Sequence, residues 1–388
     1  MNINDMVLNN ARMRAALLAL SPRMTKDLGN TTVTQNAGTA RIKLYNVGII
    51  TRLWLDVTIN YTPAVGADAV ASLQAPYNFI SRVRLTDYDG TDRVNISGFG
   101  LHVLNSKRQR GRNAYAKQTL TGTAAGAGAL VTTDQNVGLE IPNLSITGGA
   151  TARVGRFMIE IPLAYESESD LRGAILAQTA LGEMYLNLDF LSFTTTAGGV
   201  DNLFSTAHGA APTFTSVVVR VFQDYLLPQA VGGEVPIPSM DLLTVYELTE
   251  LKSTDNLVAA GEKLINYPNV RSVLGLLTWY NTAATQATLA QLVADVTKLR
   301  IIANGNSILT DLTAQNHLIR QRMEMNGMDM IAPVFIHDHS KKPVETAIFG
   351  NVQLGFTPAT VAAVAHINTV FESMYSKGTV LPGLTQSN

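Results

Sequence analysis

The sequence predicts an all-β protein made of two tandem eight-stranded antiparallel jelly rolls, with short flanking helices and an N-terminal amphipathic helix. The first observation behind this is compositional. Short runs rich in Val, Ile, Thr, Tyr and Trp recur along the 388 residues, bounded by Gly, Pro, Asn and Asp, as expected of strands joined by turns. The second is an internal duplication. Tyr45-Asn-Val-Gly-Ile-Ile-Thr-Arg-Leu-Trp-Leu55 resembles Tyr267-Pro-Asn-Val-Arg-Ser-Val-Leu-Gly-Leu-Leu277 at an offset of about 222. Val83-Arg-Leu-Thr-Asp-Tyr-Asp-Gly90, followed by a helix containing Leu101-His-Val-Leu104, resembles Leu299-Arg-Ile-Ile-Ala-Asn-Gly-Asn306, followed by one containing Asn316-His-Leu-Ile319, at about 216. Val221-Phe-Gln-Asp-Tyr225 resembles Val370-Phe-Glu-Ser-Met-Tyr375 at about 149. The third is the place where the offset shrinks: the surplus residues of the first copy fall in two long loops, 113–152 and 194–213. Two copies of roughly eight short strands, each with two helical excursions, do not suit a parallel α/β sheet and fit antiparallel sandwiches.

Residues 4–20 read as a helix, capped by Asn4 or Asp5, with Val7, Leu8, Ala11, Ala15, Leu18 and Ala19 on one stripe and Ser21-Pro22 as its stop. Strands follow at Arg41–Val47, Ile49–Tyr61 and Tyr77–Tyr88, a turn at Asp89-Gly90, and a helix over Ser97–Arg108. The stretch Ile161–Gln178 is central: a strand from Val154 to Ile161 closes at Pro162, a short helix is expected after the cap-forming cluster Ser167–Asp170, and a strand returns at Met184–Phe190. Ser216–Leu226 is a further strand, and Pro228–Pro238, with Gly232 and Gly233, reads as a linker. The second half predicts strands at Leu242–Leu248, Val270–Tyr280 and Lys298–Ala303, with a helix near Gln286–Val296 and a turn at Asn304-Gly-Asn306. A helix capped by Asp311 and ending at Asn326-Gly327 comes next, then strands at Pro333–His337, Ala347–Phe356 and Ala365–Tyr375. The expected organisation is an arm (1–27), a first roll (28–227), a linker (228–240), a second roll (241–378) and a tail (379–388).

Hydrophobic residues make up 46%, charged residues 15%, and the formal net charge is -1. So few charges suit a surface largely covered by other chains, and the balance argues against a protein whose task is to grip nucleic acid. With no Cys, disulfides and thiolate metal sites are excluded. No apolar run reaches the roughly 20 residues that span a bilayer, and Ala15–Leu20 is shorter than a signal-peptide core; the expectation is an uncleaved chain made and kept in the cytosol.

Candidate chemistry is sparse. His337 and His339 share a strand face, but spacing supplies no third ligand for a metal. Glu166, Glu168 and Asp170 lack a calcium-loop pattern and a defined glycosidase separation. No nucleophile elbow, Walker or dinucleotide motif is present. No catalytic, metal or cofactor residue is therefore assigned. Trp54 and Trp279, at nearly equivalent places in the repeats, are expected as core anchors. The basic run Ser106–Lys117 contains Lys107, Arg108, Arg110 and Arg112; these four, with Glu166, Glu168 and Asp170 as natural partners on a neighbour, are candidate subunit-contact charges. Met6, Leu8, Arg12, Arg14, Leu17 and Leu18 are candidate membrane-facing residues of the mildly basic arm.

Several stretches carry a family resemblance. Ile161-Pro-Leu-Ala-Tyr-Glu-Ser-Glu-Ser-Asp-Leu-Arg-Gly-Ala-Ile-Leu-Ala177, Ser97-Gly-Phe-Gly-Leu-His-Val-Leu-Asn105 and Val221-Phe-Gln-Asp-Tyr-Leu226, with Asp241-Leu-Leu-Thr-Val-Tyr-Glu-Leu248 and Gly350-Asn-Val-Gln-Leu-Gly-Phe356, resemble the double jelly-roll major capsid proteins of icosahedral viruses with an internal membrane, the tectivirus phages above all. The resemblance implies a homotrimeric, six-lobed capsomer in a virion shell, made in the host cytoplasm. It further implies an N-terminal helix toward the viral membrane, contacts with minor capsid, vertex or cementing proteins, no specific nucleic acid and no enzymatic activity. A second class stays open on the residues alone: a tandem β-sandwich that binds carbohydrate or builds a fibre. A third, a β-sandwich glycan hydrolase, would need better-placed carboxylates or His ligands.

Overall fold

The computed structural model describes residues 3–33, 38–62, 74, 77–108, 120–123, 129–132, 135–136, 139–140, 153–178, 180, 182–191, 213–230, 233–253, 261–281, 293–305, 307–324, 334–359 and 366–377. The chain opens with α1 (Ile3–Leu20), closed where the Ser21 amide donates to the Leu17 carbonyl at 2.9 Å and Pro22 forbids another turn.

The first roll has two facing sheets. One runs β1 (Arg23–Val33), β13 (Thr213–Leu226), β3 (Ile49–Thr62), β10 (Arg153–Pro162), with β11 (Ile175–Leu176) also on β3. The other runs β2 (Thr39–Lys43), β12 (Tyr185–Phe190), β4 (Ile80–Thr86), β5 (Asp92–Ile96). Two small hairpins, β6 (Leu120–Thr123) with β7 (Ala129–Thr132) and β8 (Gln135–Asn136) with β9 (Leu139–Glu140), lie in the first long loop. Along β3, Leu53, Leu55, Val57 and Ile59 are buried and Arg52, Trp54, Thr58 and Asn60 face outward, the alternation of a half-buried strand.

The second roll repeats the plan strand for strand. β14 (Thr244–Ser253), β22 (His366–Ser376), β16 (Ser272–Asn281) and β19 (Phe335–Asp338) make one sheet, with β20 (Val344–Glu345) on β16. β15 (Lys263–Asn266), β21 (Val352–Pro358), β17 (Val296–Ala303) and β18 (Ser307–Thr313) make the other. Each order matches its first-roll counterpart position by position. A helix follows each fourth strand: α2 (Gly98–Arg108) after β5, and α4 (Ala314–Glu324) after β18, α3 (Ser239–Leu243) lying between the rolls. The caps match too, Ser97 Oγ accepting the Gly100 amide at 3.0 Å and Thr313 Oγ1 the Asn316 amide at 3.2 Å. A short α5 (Thr346–Phe349) precedes β21.

The rolls are fused by one parallel pairing, β5 to β14 at Val94↔Leu248 and Asn95↔Thr249, which makes a continuous nine-stranded sheet. One apolar cluster therefore runs from the first-roll core into Tyr246, Leu248, Leu277, Trp279 and Val370 of the second roll. A separate cluster fills the second roll, and a third, with Leu17, Ile49, Leu171, Leu226 and Leu242, seats α1 at one end.

Several expectations are corrected. Residues 167–173 form a tight turn, with the Asp170 amide on the Glu166 carbonyl and the Tyr165 amide on the Arg172 carbonyl, both 2.9 Å. The Asp170 carboxylate serves the Arg172 guanidinium and amide, so it caps no helix. Asp311 sits in β18, and Thr313 takes the cap role. Residues 23–33, read as arm and polar stretch, form edge strand β1. Ala347–Phe356 is likewise not one strand, because α5 and the Gly350 turn precede β21. Trp279 is a core anchor at 1% exposure; Trp54 lies on the outer face of β3, its Nε1 donating to Asp224 at 2.9 Å. The helix expected near 286–296 falls mostly outside the described residues.

Candidate functional site: the seam between the rolls

α2 lies in the seam with Gly98 through Lys107 all buried. Its Phe99 ring meets the Trp279 ring edge-on at 5.1 Å. Lys107, 5% exposed, reaches Glu372 Oε2 at 2.5 Å and Asp338 Oδ1 at 3.6 Å, both on the second roll. Arg108 Nε lies 3.6 Å from Glu372 Oε1, and the Tyr246 hydroxyl donates to that oxygen at 2.7 Å. Gly275 makes the space: a Cβ there would stand 2.2 Å from Lys107 Nζ. Burial pushes the Glu372 carboxyl up, but the Lys107 and Arg108 charges and the hydrogen bonds from Lys107 and Tyr246 outweigh it and hold it below the usual carboxylate range. Buried charges persist when paired and fully hydrogen-bonded; here the pairing spans the two rolls.

A second ionic group lies beside the fused strands. Arg93 Nε meets the buried Asp87 Oδ2 at 2.7 Å, Lys377 Nζ reaches the same oxygen at 2.7 Å, and Arg93 also donates to the Gly173 carbonyl at 3.2 Å. The far end of the second roll is thereby tied to the β4–β5 turn of the first.

Near Lys107 stands the half-buried imidazole of His339, followed by those of the buried His337 and His317. The His317 and His337 ring centroids are 4.2 Å apart, and those of His337 and His339 are 6.3 Å apart. His317 Nε2 lies 3.1 Å from the Ile336 carbonyl. Among the described residues no three His, Cys, Asp or Glu side chains converge as a metal ion requires. Burial pushes His317 and His339 down to about 4, with the Lys107 charge adding at His339, and holds His337 well below its usual value. His102, stacked on Tyr77 at 3.7 Å, is pushed down by burial to about 3. The unfolded chain takes up these protons near pH 6.5 and the folded chain only near 4, so the unfolded state binds more protons in between. Stability from the neutral imidazoles is complete above about pH 6.5 and is lost as the pH falls toward 4. The urea midpoint is expected to hold from about pH 8 to 7 and drop steadily toward about 4.5; a midpoint flat over that lower range would contradict buried neutral imidazoles.

The expected contact charges are placed as follows. Lys107 and Arg108 are spent inside the chain, on Glu372 and, for Arg108, on the Ala164 and Tyr165 carbonyls, so they are not offered to a neighbour. Arg110 and Arg112 lie outside the described residues. The acidic turn finds its cations within the chain: Glu168 meets Arg23 at 3.3 Å, and Asp170 meets Arg172 at 2.6 Å and Arg14 at 3.7 Å, while Glu166 accepts from the Ser169 hydroxyl. On α1, Met6 and Leu8 are exposed at 45% and 53%, and Arg12 is exposed. Arg14 binds Asp241 at 3.3 Å, Asn10 donates to the same carboxylate at 2.8 Å, Leu17 is fully buried, and Leu18 packs partly against the third cluster. The exposed side chains of the helix are therefore concentrated in its first turns, with Met6 and Leu8, joined by Arg12 and, at the far end, Leu20. The reading of residues missed Glu372, Tyr246, Gly275 and Asp241; a lone carboxylate directly after Val370-Phe371 in the strand expected at 365–375 was the available signal.

Residues 4–229 match the family model described as P3 major capsid protein, N-terminal. The major capsid protein P3 of Enterobacteria phage PRD1 is 26% identical over 340 residues, which span 86% of this chain and 82% of that protein. Among solved structures, a chain of Sulfolobus Turreted Icosahedral Virus superposes with a TM-score of 0.62 at 14% identity, covering 91% of each chain. The Faustovirus major capsid protein superposes at 0.52 and 8% identity, covering 92% of this chain and 90% of its own. At such low identity the structural likenesses establish the fold.

Proposed function

Because residues 4–229 match its N-terminal model, the chain belongs to the P3 major capsid protein family; it is the major capsid protein of an icosahedral virus, and we propose that it works as a closed ring of three copies laid over an internal membrane. It is a structural component of the virion shell that self-associates into a lattice, and not an enzyme. The observation that carries the ring is the seam. The β5–β14 pairing and the Lys107–Glu372 contact hold two like lobes side by side at one angle, and three copies of a rigid two-lobed unit give the six-sided outline that tiles a shell. We take 23–227 and 241–378 as the lobes, since β1 belongs to the first-roll sheet, with 1–22 as the arm, 228–240 as the linker and 379–388 as the tail. Minor capsid, vertex or cementing proteins would meet the lobes at their outer loops, and no specific nucleic acid is involved.

For the membrane, the supporting feature is α1. Its second half is anchored by Arg14, Asn10 and Leu17, which leaves Met6, Val7 and Leu8 exposed at the free end. Among the described residues no helix is long and apolar enough to cross a bilayer, so the contact proposed is with the membrane surface, through apolar side chains beside Arg12. Removing residues 2–9 is expected to leave the solution mass at three times 41.7 kDa, less the deleted residues, and to abolish co-flotation with anionic vesicles. Flotation unchanged by the deletion would remove the lipid role, and a full chain of single-copy mass would remove the ring.

A further inference from the structure

The contact that one roll makes with the next inside the chain has an unused counterpart on the second roll. Inside the chain, β5 is an outer strand of one sheet and β14 of another, and the two pair. Their counterparts by sheet order, β18 and β1, are also outer strands, and among the described residues neither has a partner on its outer side. Long bare edges call for cover.

The helices tell the same story. Laying α4 on α2 by their caps, Thr313 on Ser97, places Ile319 where Val103 stands and Met323 where Lys107 stands. The alignment is supported by a shared device: Asn105 donates to the Glu160 carbonyl beside α2, and Gln321 to the Val334 carbonyl beside α4, both at 2.9 Å. Yet Val103 and Lys107 are buried, Lys107 on Glu372 of the next roll, whereas Ile319 and Met323 are 52% and 76% exposed, with Ile308 and Leu309 of β18 at 51% and 44%.

The receiving face follows from register. The core-facing pair Leu276↔Phe371 of the second roll corresponds to Leu55↔Val221 of the first. One residue along, the outward pair Gly275↔Glu372 corresponds to Trp54↔Phe222. Gly275 and Glu372 are what receive Lys107. Trp54 and Phe222 are half-buried in the single chain, with the guanidinium groups of Arg52 and Arg220 at 4.9 and 5.2 Å from their ring centroids.

We propose that the Ile319–Met323 face of α4, together with the β18 edge, docks on the Trp54–Phe222 face and β1 edge of a second copy, repeating between chains the contact α2 makes within one. The thioether of Met323 takes the place of the Lys107 ammonium and lies against two aromatic rings, a contact suited to sulfur, so the seam is ionic within a chain and apolar between chains. This rests on the proposed ring and names the surfaces that close it. Each chain offers one α4 face and one Trp54 face, so the interface is head-to-tail and closes if the rotation does.

The absence of Cys makes the test direct. A Trp54→Cys, Met323→Cys double variant, oxidised with copper phenanthroline, is expected to give a reducible covalent product of three chains. The pair Lys43→Cys with Met323→Cys, whose first member lies on the other sheet's outer face, is expected to give none. Separately, Met323→Asp is expected to reduce the solution mass to one chain that keeps the circular dichroism of the folded protein, since the side chain is exposed in the single chain. Three-chain particles that persist with Met323→Asp, or that show no cross-link in the double variant, would overturn the interface while leaving the ring standing. An unmodified chain that stays single would overturn both.

Discussion

Lys107→Ala is expected to lower the stability of the chain by about 3–5 kcal/mol, the usual loss when one partner of a buried ion pair is removed. Lys107 and Glu372 are 5% and 2% exposed, so solvent cannot replace the lost cation, and Arg108 stays 3.6 Å from the carboxylate. With the ammonium gone, the charge and the hydrogen bond that Lys107 sets against burial are both lost, and the Glu372 carboxyl rises. The variant's deficit is therefore largest near neutral pH and shrinks as acid neutralises the carboxylate. Urea unfolding followed by circular dichroism measures this. Pairing Lys107→Met with Glu372→Gln is expected to recover much of the loss, because a neutral amide that still accepts from Tyr246 is far less costly than an orphaned charge. A single variant as stable as the parent would mean that the seam is not held by this pair.

Gly173→Ala is the second large effect. Gly173 has φ of +92°, where an L side chain is strained by about 1–2 kcal/mol. An added Cβ would lie 2.3 Å from Tyr246 Cβ, 2.7 Å from the Leu163 carbonyl oxygen and 3.0 Å from the Tyr246 amide nitrogen. Two of those three atoms are backbone and cannot swing aside, so overpacking adds about 1–3 kcal/mol. Gly173 also donates to the Asp241 carbonyl at 3.2 Å and accepts from Arg93, so a shift would loosen the turn from the second roll. The thermal midpoint is expected to fall by about 3–6 °C, on the general relation between stability, chain length and melting. A midpoint within about a degree or two of the parent would contradict the close approach of the Ile161–Ala177 turn to β14.

The strand plan was legible because most strands alternate or run apolar, and the duplication was legible because two rolls bury equivalent side chains. β1 was not: only Val33 in its 11 residues is buried, so an edge strand left no period to read. The Ser/Asp cluster at 167–170 suits turns as well as helix caps, and the choice was made by Arg172, which takes the Asp170 carboxylate. The two tryptophans lie on the same outward face of equivalent strands, but Trp279 is covered by the first roll, its ring against Phe99 of α2, while Trp54 stays half-buried; a neighbour so distant in sequence leaves no local signal. Of the candidate site, α2 was found and its chemistry misassigned. Lys107 and Glu372 are 265 residues apart, and a basic run shows nothing of a partner so distant. α1 was found as a helix, but its docked face is set by Asn10 and Arg14 on Asp241, polar residues that an apolar stripe does not reveal.

Class averages of negatively stained particles, viewed down their axis, measure most directly whether one chain supplies two equivalent lobes of a capsomer. Six lobes of near-equal size around a three-chain particle are expected. A three-lobed particle, or a two-lobed one that never closes, would contradict the pseudo-sixfold ring.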